Sequence, residues 1–123
     1  MIYTGYYAKL KKYEELGIEP IAISGKRPDF YEGLYYVEFA PRFWMYERWK
    51  KGESTNEGYS ESYEGYLETL DKAEIREDFK PYVGEGKDCV LLCYEKSGDF
   101  CHRHVLADWL EKKFGWKIEE FEV

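Results

Sequence analysis

The chain has 123 residues, room for one small domain, and carries 18 Lys and Arg against 25 Asp and Glu, a formal net charge of −7. Its 13 Tyr, 7 Phe and 4 Trp exclude a disordered acidic tail, and 3 Cys are too few for a disulfide-built scaffold. No apolar run reaches the ~18 residues of a membrane span, the opening Met1-Ile2-Tyr3-Thr4-Gly5-Tyr6 lacks the regions of a signal peptide, and a cytoplasmic location is expected.

Ile2-Tyr3-Thr4 is a short β-type start that runs into Gly5. Good helix formers follow from Ala8 to Leu16, with Leu10, Tyr13 and Leu16 apolar and Gly17 as the stop. Pro20-Ile21-Ala22-Ile23-Ser24 reads as a buried strand, so the chain opens like a βαβ unit. Gly25, Pro28, Gly33 and Pro41 mark residues 25–42 as mostly loop, with an extended piece at Leu34-Tyr35-Tyr36-Val37. Phe43 to Lys51 predicts a short helix ending at Gly52; its Trp and Phe are expected in the core and its Lys and Arg in solvent.

Tyr59, Tyr63, Tyr66, Leu67 and Leu70 form a helical stripe despite Gly58 and Gly65. Asp71 and Glu74 resemble a capping box ahead of a second helix that turns Ile75, Phe79 and Tyr82 to one side. Cys89-Val90-Leu91-Leu92-Cys93-Tyr94 is strongly strand-like, the helix after it carries Val105, Leu106, Trp109, Leu110 and Phe114 on one face up to Gly115, and Trp116, Ile118 and Phe121 suggest a last strand. The expected fold is α/β: a small parallel sheet of about four strands with helices on both faces, a Rossmann-like or flavodoxin-like three-layer arrangement. It forms a single domain over 1–123, with 53–83 as an acidic helical insertion between the second and third parallel strands. A flavodoxin order, 2-1-3-4, sets the strands starting at Ile2 and Cys89 side by side and turns Thr4-Gly5-Tyr6 toward the loop after Cys93, where such sheets bind ligands.

Residues 93–104 gather Cys93, Glu95, Asp99, Cys101, His102, Arg103 and His104 between a strand end and a helix start. A helix N-terminus attracts anions and lowers a thiol pKa, and Asp99 as N-cap would put Cys101, His102 and Arg103 in the first turn. Arg103 there opposes the helix dipole, which calls for an anionic partner, either a protein carboxylate or a bound phosphate. Zinc is an alternative for Cys89, Cys93, Cys101, His102 and His104, but Cys89 and Cys93 lie ~13 Å apart along one strand at ~3.3 Å per residue and the two His diverge, so no metal or cofactor is assigned. Cys93 and Cys101 flank one loop and could reach disulfide distance. His102 fits a structural histidine as well as a catalytic one, His104 points to solvent, and Cys89 is a small buried hydrophobe.

Leu91-Leu92-Cys93-Tyr94-Glu95-Lys96, then Cys101-His102-Arg103-His104-Val105-Leu106-Ala107-Asp108-Trp109-Leu110, resembles family 488 of the domains of unknown function, whose hallmark is Cys-x-Glu at a strand end and Cys-His-Arg opening a helix. Where many members carry an Asp-Val-Arg-like stretch, this chain has Ser24-Gly25-Lys26-Arg27-Pro28. The resemblance implies a small α/β fold and a clustered polar site.

The residues themselves point to a thiol-dependent enzyme on a small phosphate-bearing ligand, such as a nucleotide or a nucleic-acid base. Cys101 is its nucleophile or redox thiol, activated by the helix start and by His102 or Arg103; Cys93 shares the chemistry and Glu95 is the acid or base. Arg103, Thr4, Gly5, Ser24 and Lys26 hold the anionic ligand. The alternative is a non-catalytic nucleotide or nucleic-acid binding module, with stacking and phosphate contacts from Arg42-Phe43-Trp44-Met45-Tyr46-Glu47-Arg48-Trp49-Lys50-Lys51 and a structural or metal-binding motif. Residues 53–78 alone carry a charge of −7, so the acidity belongs to one helical segment and spares the Cys101 end.

Overall fold

A computed structural model describes residues 1–95 and 100–122, which fold around a five-stranded parallel sheet. Asp99, the expected N-cap, lies outside the described residues. The strands are β1 (Ile2–Tyr6), β2 (Glu19–Ala22), β3 (Leu34–Tyr35), β4 (Cys89–Cys93) and β5 (Ile118–Glu120). The helices are α1 (Leu10–Glu15), α2 (Phe43–Lys50), α3 (Asn56–Glu68), α4 (Lys72–Val83) and α5 (His102–Phe114).

The order across the sheet is β3-β2-β4-β1-β5, which corrects the expected 2-1-3-4. β1 does neighbour β4, with Ile2 opposite Cys89 and Tyr6 opposite Cys93, but β2 pairs with the other edge of β4, Ile21 opposite Leu91. The physical reason is apolarity. All five residues of Cys89–Cys93 are buried, so this strand takes the centre, covered on both faces. The extended piece near Leu34 becomes the short edge strand.

Alternation along β4 divides the interior. Cys89 and Leu91 meet Tyr59, Tyr63, Phe79, Leu106 and Trp109 from α3, α4 and α5, while Val90 and Leu92 meet Tyr7, Tyr13 and Tyr31 around α1. Helices therefore cover both faces. The stop at Gly17 has φ +74°, and Thr55 and Asp71 cap α3 and α4 by accepting from the N–H groups of Gly58 and Glu74. Among the described residues no helix is long and apolar enough to cross a membrane.

α2 departs from the expected amphipathic burial. Met45 is its one buried residue, whereas Phe43 and Trp44 are 74% and 53% exposed. The helix leans its Met45 and Trp49 side on the core, and Phe43 and Tyr46 line a cleft.

Candidate functional site

β4 ends at Cys93, beside Ile23 and Ser24 at the end of β2, where Ile23 N donates to Leu92 O at 3.0 Å. α5 begins directly above this edge. Cys101 is its N-cap with extended backbone (φ −152°, ψ 147°), so helical residues begin at His102 and the expected place of Cys101 inside the first turn is corrected by one position. Cys93 and Cys101 are joined as a disulfide, with Cα atoms 7.5 Å apart.

A cleft of about 530 Å³ opens over this pair. Cys93, Cys101 and His102 form its floor, Ser24, Gly25 and Lys26 one rim, and Tyr94 and Glu95 another. Its wall is aromatic: Trp49, Tyr59 and Phe100 hold one another at ring-centroid distances of 5.5–5.8 Å, with Phe43 and Tyr46 further out. Burial, and then the nearby Glu95 charge, raise the Tyr59 phenol well above its ordinary value, so it stays protonated beside any ligand.

The two cysteines have different neighbours. Arg103 is wholly buried, and its Nη1 donates to Cys93 Sγ at 2.9 Å and to the Glu95 carbonyl. His102 Nε2 lies 2.9 Å from the Ile23 carbonyl, an oxygen that can only accept, so Nε2 carries the proton of the neutral ring and Nδ1 bears the lone pair. That Nδ1 is 3.8 Å from Cys101 Sγ. Burial lowers the His102 pKa to about 4, and the ring packs edge-on against Tyr63 at 5.5 Å. A neutral imidazole of such low basicity can accept a hydrogen bond from the Cys101 thiol but cannot hold its proton near pH 7. Of the two neighbours expected for Cys101, His102 stands beside it as a neutral ring, while the Arg103 cation stands at Cys93 instead.

Behind the cleft lies a residue that sequence reasoning missed. Glu120 takes Arg103 Nε on Oε1 at 3.0 Å and Nη2 on Oε2 at 2.9 Å, and accepts from Thr4 Oγ1 at 2.6 Å. Burial raises its carboxyl, but the hydrogen bonds from Arg103 and Thr4 outweigh this and leave it below its ordinary value. Arg103 at a helix start demanded an anion, and alternation along β5 puts Glu120 on the same face as the buried Ile118, so the signal was there.

Thr4 and Gly5 lie away from the cleft. They pair with Leu91 and Leu92, below the strand ends; Thr4 is spent on Glu120, and Gly5 backs onto Tyr13 and Val90. Ser24 reaches the rim, yet its hydroxyl donates to the Lys26 carbonyl at 2.6 Å and so accepts from Tyr7, whose phenol burial pushes up to about 12. It shapes the rim. Lys26 is exposed there, a cation beside the aromatic wall. His104, expected in solvent, is half-buried, and Cys89 is fully buried, which pushes its thiol far up.

Cys93 Sγ, Cys101 Sγ and His102 Nδ1 converge: each of these three residues offers a ligand atom within 4.8 Å of the others. Once reduced, such a set suits a soft ion, but the Arg103 guanidinium on Cys93 opposes a second cation and favours a thiolate.

A family model described as "Active DUF488-N3 subclade" matches residues 18–114, a span that contains Cys93 through Arg103 and leaves out β1. The chain belongs to the DUF488 family, domains of unknown function. No curated protein and no solved structure matches it.

Proposed function

We propose that the chain is a thiol-dependent enzyme acting on a small anionic, ring-bearing ligand of nucleotide type, with Cys93 as its nucleophile. The observation that carries this reading is Arg103 Nη1 at 2.9 Å from Cys93 Sγ on the floor of an aromatic cleft. A buried guanidinium favours the charged form of the thiol it touches, and the thiolate is the reactive species. The ring of the ligand stacks against Trp49, Tyr59 and Phe100, and its anionic group meets Lys26.

The disulfide is the oxidised form. An external dithiol reduces it to two thiols and is itself oxidised to a disulfide. Cys93 then loses its proton to solvent, and the thiolate electron pair forms a bond to an electrophilic atom of the ligand while the leaving group departs with the electrons of the bond that breaks. Water releases the second product as Glu95 takes the water's proton, which restores the Cys93 thiolate. Cys101, with its proton held toward His102 Nδ1, stays neutral beside it.

Iodoacetamide labelling of the reduced protein against pH, mapped to each cysteine by mass spectrometry, tests the assignment. Cys93 is expected to react with a pKa below the ~8.5 of a free thiol and ahead of Cys101, with Cys89 unlabelled until the fold is denatured. Arg103→Met should move the Cys93 value up toward the free thiol. A Cys93 value at or above ~8.5 in the native protein, or Cys101 reacting first, sinks the reading.

A further inference from the structure

We infer that α2 is a docking surface for a single strand of nucleic acid, one base of which enters the cleft; this rests on the reading of that cleft as a site for a nucleotide-type ring. A helix of eight residues next to a core would bury its large apolar side chains, and α2 leaves Phe43, Trp44 and Tyr46 at 74, 53 and 38% exposure. Single exposed hydrophobes are ordinary; three within four residues of one helix, two of them lining a cleft, are a platform. Phe43 and Tyr46 line the mouth itself, and Trp44 lies on the same helix outside the lining.

Charge selects the occupant. Lys50 Nζ lies 5.8 Å from the ring centroids of both Tyr46 and Trp49, Arg48 is exposed with a long 3.5 Å contact to the Glu53 carbonyl, and Lys26 stands on the cleft rim. Glu47, the acidic residue of the helix, is answered by Lys51 at 3.0 Å. Aromatic faces with cations between them match a chain of bases and phosphates, since any base can stack and each phosphate takes a cation. Nine of the 25 acidic residues lie on residues 53–78, which carry −7 and include α3, packed against α2 through Trp49 and Tyr59; the cations of α2 stand beside that acidic helix. An uncharged protein surface would meet the aromatics but leave these cations without a use.

The test titrates the full chain with fluorescein-labelled oligothymidylate ten nucleotides long and, in parallel, with thymidine monophosphate read by Trp fluorescence. The oligonucleotide is expected to bind at least ~10-fold more tightly, losing affinity with salt at a log–log slope of about −0.7 for each phosphate held. Trp44→Ala combined with Arg48→Ala should weaken the oligonucleotide ~10-fold or more and leave the mononucleotide unchanged. Mononucleotide binding with no gain for the oligonucleotide overturns the docking surface and spares the cleft reading. Binding of neither overturns both. Self-association of the chain that Trp44→Ala abolishes and the oligonucleotide does not displace also overturns it, and makes the face a protein interface.

Discussion

Glu120→Gln removes the charge that answers Arg103. The guanidinium is 0% exposed, the carboxylate only 17%, and two hydrogen bonds of 3.0 and 2.9 Å join them. Removing one partner of such a pair costs about 3–5 kcal/mol, because the remaining charge stays out of water. An amide keeps one acceptor for Arg103, so the lower end applies, about 3 kcal/mol. At ~2.1 cal/mol/K of unfolding entropy per residue, the 123 residues turn that into a fall in Tm of ~12 °C. The assay is thermal unfolding followed by circular dichroism at pH 7 and then at steps down into acid. The folded pKa of Glu120 is lowered, so its stabilisation is complete above the ordinary carboxylate value and is lost as the pH falls through the lower folded one. The gap between wild type and variant should close there. A fall of less than ~3 °C at pH 7, or a gap that persists undiminished in acid, would refute the reasoning.

His102 provides a second pH limb in a different window. Its folded value is lowered to about 4, so its contribution is complete above the unfolded ~6.5 and is lost as pH falls toward 4, up to ~3 kcal/mol; urea midpoints measured across this range should fall in the wild type and flatten in His102→Gln, and an equally steep fall in the variant counts against the assignment. Gly5→Ala sets a Cβ onto the Tyr13 hydroxyl and 2.9 Å from Val90 Cγ2. Both are packed in the α1 layer, so a loss of about 1–3 kcal/mol is expected by urea unfolding, and an unchanged midpoint would mean that this contact is looser than described.

The parts legible in the sequence were those set by short-range pattern. The continuous apolar run at Cys89–Cys93, the stripe through Tyr59, Tyr63 and Leu67 and the stop at Gly17 each follow from spacing along one segment, and each appears in the fold. Strand order is not local: it depends on which strand needs cover on both faces, and comparison of β1, with Thr4 and Gly5, against the wholly apolar β4 would have put β4 in the centre. α2 misled for a related reason. Periodicity says which side chains share a face, and nothing about whether another layer arrives to cover it; among the described residues none covers Phe43 or Trp44. At the site, the motif marked Cys93, Cys101, His102 and Arg103, but the sequence could not tell which cysteine has the cation, because that depends on where Arg103 crosses the end of β4.

Arg103 ties the stability of the fold to the proposed reactivity at this point of the sheet. On the proposed reading one buried cation serves two anionic demands, a permanent one from Glu120 and an occasional one from the reduced, ionised Cys93; here it touches the Glu120 carboxylate and a disulfide sulfur. With the thiol protonated, the pair Arg103 and Glu120 is neutral and the fold is at ease. On that reading, a charge formed on Cys93 would have to share the guanidinium with Glu120. The neutral His102 adds no cation, and its lone pair offers Cys101 a place to keep its proton. A design that maximised thiolate would drop Glu120, and would then leave a bare guanidinium in the core whenever Cys93 was protonated or oxidised to the disulfide. The carboxylate therefore holds the cation in place through every state of the cysteines.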